Sequence, residues 1–274
     1  MKVLVTGAKG MLGQDLCPIL EDYGFEAIET DCDTLDITNE LMVHKVFDDK
    51  SPDYVVHCAA YTNVDKAEED LETASKINVQ GTEYIAKACA KHDIPLLYIS
   101  TDYVFNGKKQ TPYLTTDIPS PINNYGFTKY QGEEIIKKLC DKYYITRTSW
   151  LYGHHGKNFV ETMISLKDKD VLKVVDDQIG CPTWTVELAT AITGLLQTEN
   201  YGTYHVCGSG STSWYGFAKE IFDYLNLDVN LQPCETLEFP RPAKRPHYSV
   251  MENNKICRFW KDALHDYLDL RIEE

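Results

Sequence analysis

Through the first half of the chain, short β-branched apolar runs alternate with stretches whose apolar residues recur at helical spacing. "KVLVT" (2–6) predicts a strand, and "MLGQDLCPILEDY" after it an amphipathic helix. Further strands are expected at "FEAIET" (25–30), "DYVVHCAA" (53–60), "IPLLYIS" (94–100) and "YYITRT" (143–148), with helical sequence between them. This alternation predicts an α/β fold, a doubly wound parallel sheet with helices on both faces. Beyond about residue 150 the pattern is mixed and richer in Gly, Pro, Trp and Tyr, with helices near 184–197 and 213–225. Residues 1–150 are expected to form a nucleotide-binding sheet domain. Residues 151–274 are expected to form mainly a smaller C-terminal lobe, interleaved with the last strands and helices of the sheet.

Composition narrows the function classes. The 274 residues are 43% hydrophobic and 25% charged, which suits an ordinary globular protein. A net charge of −15 weighs against nucleic acid and anionic membrane as partners, so an anionic ligand needs a local basic patch. Nine cysteines are scattered without a CxxC pair and read as reduced, buried thiols. With the early break in the N-terminal apolar run and no span-length apolar stretch, they point to the cytoplasm. The adjacent His154 and His155 lack helical metal-ligand spacing, so no metal site is expected.

"VTGAKGMLG" puts Gly7, Gly10 and Gly13 between the first strand and first helix, where glycines permit a tight turn and close approach to a pyrophosphate. A helix N-terminus there offers free N–H groups to phosphate. A glycine triplet alone is equally a plain turn; its position and the acidic Asp31 ending the second strand strengthen it. Asp31 suits ribose hydroxyls and repels a 2′-phosphate, with no arginine nearby, so NADH should serve at least as well as NADPH. The plainer alternative for Asp31 is a strand-end turn residue. Asp36 and Ile37 follow and would frame the adenine.

Tyr125 and Lys129 in "NNYGFTKYQGEE" share one helical face. Tyr215 and Lys219 in "WYGFAK" repeat that spacing, but only the first pair follows a strand end with hydroxyls, "YISTDYVF". Thr101, Tyr125 and Lys129 are therefore expected to converge at the carboxyl edge of the sheet. A phenol titrates near ~10, and a neighbouring ammonium would lower it toward useful proton exchange.

These residues, with Asn78 in "KINVQGT", resemble the extended short-chain dehydrogenase/reductases. The resemblance sharpens to the dTDP-4-dehydrorhamnose reductase family through "AAYTNVDKAE", "STDYVF", "RTSWLYG", "DDQIGCPTW" and "RPAKRPHYS", which together span nearly the whole chain. It implies a Rossmann-type fold with a C-terminal substrate lobe, and NAD(P)H-dependent reduction of a nucleotide-linked 4-keto sugar. It also implies cofactor contacts from Met11, Leu12, Ala60, Tyr61, Thr62 and Asn78, although Asn78 reads equally as a structural amide. On the substrate side stand Thr101 and Asp102, with Trp150 stacking a nucleobase opposite Val64, or else packing the lobe. Arg245, in "RPAKRP" with Arg241 and Lys244, would grip the diphosphate or lie in a solvated loop.

The family's magnesium positions are roughly matched by Asp15 and Glu187 only, and magnesium is not expected. Residue 103 is Tyr, where the related 4,6-dehydratases resemble Thr-Asp-Glu, which argues against water elimination. The competing readings are a nucleotide-sugar epimerase and a non-catalytic subunit like that of methionine adenosyltransferase. The chain is expected to be a monomer or homodimer.

Overall fold

The computed structural model describes all residues except 254, 255 and 274. Five strands form where the alternation placed them: β1 (Lys2–Thr6), β2 (Glu26–Thr30), β3 (Tyr54–His57), β4 (Leu96–Thr101) and β5 (Tyr143–Thr148). A sixth, Gly202–His205, comes from the C-terminal half and pairs with β5. All pair in parallel, in the order β2–β1–β3–β4–β5 followed by Gly202–His205. The order turns back between β1 and β3, and in a doubly wound sheet the ligand crevice opens at that reversal.

Successive strand residues serve opposite layers. Val3 and Val5 pack against Leu12, Leu16 and Leu20 of helix α1 (Met11–Asp22) and against Leu188 and Ile192 of the Thr185–Leu196 helix. Leu4, between them, joins Val43, Phe47, Ile85 and Ile136 on the other face. Burial on both faces is why these strands read as continuous apolar runs rather than alternating ones.

A separate core of Tyr152, Trp184, Phe217, Trp260, Leu264 and Leu268 holds the C-terminal lobe. There, Leu172–Val175 pairs in parallel with Leu231–Cys234. The chain leaves the sheet after β5, returns for the Thr185–Leu196 helix and the sixth strand, and leaves again. The sheet is thus completed by residues beyond 150. All nine cysteines are free thiols; Cys32 is exposed, Cys58 half-buried and the others buried. Among the described residues, no helix is long and apolar enough to cross a membrane.

Candidate active site

A cavity of about 900 Å³ runs along the carboxyl edge of the sheet, from the β1–α1 turn to Trp150 and Trp214. At its first end, Gly7 has φ +69°, and a Cβ there would stand 2.8 Å from the backbone nitrogen of Ala59. Glycine is therefore required where β1 and β3 separate. Gly10 caps α1 without a side-chain hydrogen bond, so the first N–H groups of the helix face the cavity beside Met11, Leu12 and Gly13. This cradle fits a dinucleotide pyrophosphate. Asp36, Ile37, Ala60 and Thr62 line the same stretch.

Asp31 lines it too, accepting from the backbone N–H of Lys9 (3.0 Å) and of Cys32 (2.8 Å). The Lys9 side chain crosses this corner and pairs with Asp33 at 2.5 Å. The sequence reading found no arginine to offset Asp31; the structure supplies a lysine from the glycine turn itself.

The second cluster is built by the Asn124–Leu139 helix. Asn123 caps it, its Oδ1 accepting from Gly126 N–H at 2.8 Å, while its amide donates to the Lys244 carbonyl at 2.8 Å. A Cβ on Gly126 would sit 2.1 Å from the Tyr103 carbonyl oxygen, so only glycine lets the helix start press onto the turn after β4. That contact brings Tyr125 to Thr101. The two hydroxyls lie near enough for Thr101 to favour the ionised phenol, and the Tyr125 ring meets Tyr103 edge-on at 5.9 Å. The Thr101 hydroxyl also donates to Asp102 Oδ1 at 3.0 Å and accepts from Tyr103 N–H at 3.2 Å. One turn along the helix, the Lys129 ammonium lies 4.0 Å from the Tyr98 ring centroid and faces the cavity.

The electrostatics differ from the sequence expectation. Burial pushes the Tyr125 phenol above its ordinary range, and the Asp102 carboxylate adds to the rise; the Thr101 hydrogen bond opposes both. Lys129 does not pull the phenol down. Burial instead lowers the lysine itself to about 7, against an opposing pull from Glu133. Burial raises Asp102 to about 7, partly offset by hydrogen bonds from Ser249 and Thr101. The site thus holds a protonated phenol, with an amine and a carboxyl that both titrate near neutrality.

At the far end, Trp150 and Val64 both line the cavity. Trp150 has a positive φ of 49°, uncommon for a bulky residue and concentrated at functional sites. One of its faces is covered by Trp214, which the sequence reading missed because nothing local marks it. Trp214 is oriented in turn by donating Nε1–H to Gln178 Oε1 at 3.2 Å.

Three expected contacts are not brought to the cavity wall. Asn78 is buried beneath it: its Oδ1 accepts from Tyr61 N–H (2.7 Å), and its amide donates to the Tyr61 carbonyl (3.1 Å) and the Thr128 hydroxyl (3.0 Å). The side chain is spent on structure, and the Tyr61 backbone with it. Arg245 grips Asp65 with both terminal nitrogens rather than facing the cavity, because a partly buried carboxylate lies within reach. Arg241 lies 3.7 Å from the same aspartate. Elsewhere, Lys219 pairs with Asp223, outside the cavity, so the second Tyr–Lys spacing builds no site. Glu187 is paired with Arg258 at 2.6 Å, and Asp15 lies against Thr185 and His155. Among the described residues, no cluster of three His, Cys, Asp or Glu is arranged to hold a metal.

Known proteins are similar to this chain over nearly its whole length. The chain is 40% identical over 269 residues to a dTDP-4-dehydrorhamnose reductase of Aggregatibacter actinomycetemcomitans, covering 93% of this chain and 92% of that protein. The crystal structure of a dTDP-4-dehydrorhamnose reductase from Clostridium acetobutylicum superposes with TM-score 0.97 at 48% identity, covering 99% and 100% of the two chains. The Bacillus anthracis dTDP-4-dehydrorhamnose reductase, solved in complex with NADP, superposes with TM-score 0.95 at 42% identity, covering 98% and 99%. The family model described as the RmlD substrate binding domain matches residues 1–270, and the chain belongs to that family.

Proposed function

We propose that this chain is an NAD(P)H-dependent ketoreductase that reduces the 4-keto group of a nucleotide-linked deoxysugar, dTDP-4-dehydrorhamnose or a close analogue. The observation that carries the reading is the convergence of Thr101, Tyr125 and Lys129 in one cavity with the β1–α1 cradle. In this reading residues 1–150 bind the cofactor and the lobe beyond them mainly binds substrate. Gly7, Gly10 and the free N–H groups of Met11, Leu12 and Gly13 hold the pyrophosphate, and Asp31 the adenosine ribose. Asp36, Ile37, Ala60 and Thr62 complete the walls.

Bound there, the cofactor supplies the hydride for the ketone carbon. Tyr125 supplies the proton: raised by burial, its phenol is held protonated at neutral pH, ready to protonate the ketone oxygen as the hydride arrives at carbon. Thr101 orients the sugar oxygen through the same hydroxyl that it shares with Tyr125 and Asp102. Lys129 places a cation where charge moves onto the phenol oxygen and holds the nicotinamide ribose. Trp150 and Val64 receive the nucleobase at the far end of the cavity. Tyr103 stands where elimination chemistry would need a carboxylate, so the reaction stops at reduction.

The test is a panel of nucleotide-linked 4-keto sugars with NADH and NADPH, followed by loss of reduced cofactor and product identification. Stoichiometric oxidation of cofactor with formation of the 4-hydroxy sugar is expected. A chain that consumes no cofactor and interconverts epimers would be an epimerase instead.

A further inference from the structure

Under the active-site helix lies a buried charge cluster that the reaction as described does not use. Glu133 is fully buried, on the same helical face as Lys129 and one turn further on. Its carboxylate accepts from the Ser100 hydroxyl at 2.5 Å, from Arg147 Nε at 2.9 Å and from Arg147 Nη2 at 2.7 Å. Arg147 is itself 1% exposed, with its guanidinium against the Phe105 ring. Two neighbouring strands of the sheet therefore clamp one carboxylate of the helix above them, β4 through Ser100 and β5 through Arg147. A buried ion pair is a costly way to add stability, since apolar residues of equal volume serve as well or better. Its position suggests another use, because Lys129 is 3% exposed and among the described residues has no carboxylate within 4 Å.

We propose that Glu133 is a positioning residue for the reaction: clamped by Arg147 and Ser100, it is the buried counter-charge that favours the protonated Lys129 ammonium at the cleft. The inference rests on the role given to Lys129 above. The other groups around that ammonium do not do this. From β3, His57 is held neutral by burial, with its titration lowered to about 3, and the Cys58 thiol is raised to about 12. From β4, Tyr98 stays a neutral phenol under its π face, and Asp102 titrates near neutrality. From β5, the Arg147 guanidinium is engaged by the Glu133 carboxylate. On the helix, Tyr125 is protonated, and Lys137 lies 3.8 Å from Glu133 on its far, half-exposed side. Glu133 is the one carboxylate of this set whose charge is secured by a fixed partner.

The experiment compares kcat/KM against pH for the wild type, Glu133→Gln, Lys129→Arg and the double variant, with a thermal melt of each. Glutamine preserves the volume and one acceptor oxygen, removes the charge and turns the second oxygen into a donor, so the melt reports the cost of the lost Arg147 hydrogen bond. Loss of the counter-charge is expected to move the alkaline limb down by about one pH unit, so the variant loses about tenfold at alkaline pH and little at acid pH. In the Lys129→Arg background, where the cation cannot deprotonate, the same substitution should leave the shape of the profile unchanged. A Glu133→Gln profile that is lowered uniformly at every pH overturns the proposal, because that is the signature of a purely structural pair. If Lys129→Arg matches the wild type at all pH values, the role of Lys129 fails, and the inference with it. Should Glu133→Gln not fold, Glu133→Asp decides. It keeps the charge and should keep the wild-type alkaline limb; a limb moved down by as much as one unit would overturn the inference.

Discussion

Trp150 and Trp214 lie face to face, their ring centroids 3.5 Å apart and their planes 6° from parallel. The pair joins the loop after β5 to the first turn of the Trp214–Tyr224 helix, and both indoles line the cavity. Trp214 thereby braces one face of the Trp150 indole, and the backbone of Gly180 lies against the same side chain. Replacing Trp150 with alanine should raise KM for the nucleotide sugar about 5–150-fold, from the roughly 1–3 kcal/mol of a base–aromatic stack. KM for NADH should stay near the wild-type value. Truncating a packed Trp costs about 3–5 kcal/mol of stability, so a melt must accompany the kinetics. A folded variant with unchanged KM would show that the indole only packs the lobe.

Tyr125→Phe removes the proposed proton donor and should lower kcat about 10²–10⁴-fold with cofactor binding nearly intact. Tyr215→Phe, on the lobe helix that repeats the Tyr–Lys spacing, should behave like the wild type. Equal activity in the two variants would rule Tyr125 out as the acid.

Asp102 makes stability depend on pH with a predictable sign. Burial raises its carboxyl from the ordinary 3.8 to about 7. A raised carboxyl contributes its full stability below the unfolded value, and loses it as pH climbs from about 4 to about 7, where the unfolded chain ionises and the folded one resists. Asp102→Asn abolishes that loss. Its Tm relative to the wild type should therefore be higher at about pH 8 than at about pH 4, by the equivalent of up to about 4 kcal/mol. A difference in Tm that does not vary with pH would mean that Asp102 is ionised at no cost in the fold.

Lys9 and Asp31 face the same corner with opposite charge, and their substitutions should pull cofactor choice in opposite directions. Lys9→Ala should weaken NADPH by about tenfold, the value of a charge-assisted hydrogen bond to phosphate, and leave NADH little changed. Asp31→Ala should favour NADPH. Parallel changes in both KM values would place neither residue at the 2′ position.

The fold was legible because it rests on local chemistry that repeats. Apolar runs of strand length separated by helical patterns predict β1 to β5 to within a few residues, since strands buried on both faces must be continuously apolar. The turn glycines, the Tyr125–Lys129 pair and the strand-end Thr101 were legible for the same reason: each is a short-range pattern whose chemistry needs those residues at that spacing. Tertiary structure decided what depends on distant partners. Asn78 is spent on Tyr61 and Thr128, Arg245 on Asp65, and one face of Trp150 on Trp214, and no spacing in the chain encodes those meetings. The charge states were decided the same way. From sequence, an ammonium beside Tyr125 predicts a depressed phenol; in the fold, burial outweighs the neighbour, raising the phenol and lowering the lysine. Desolvation depends on every residue that closes over a group, so it is settled only when the chain has folded around it.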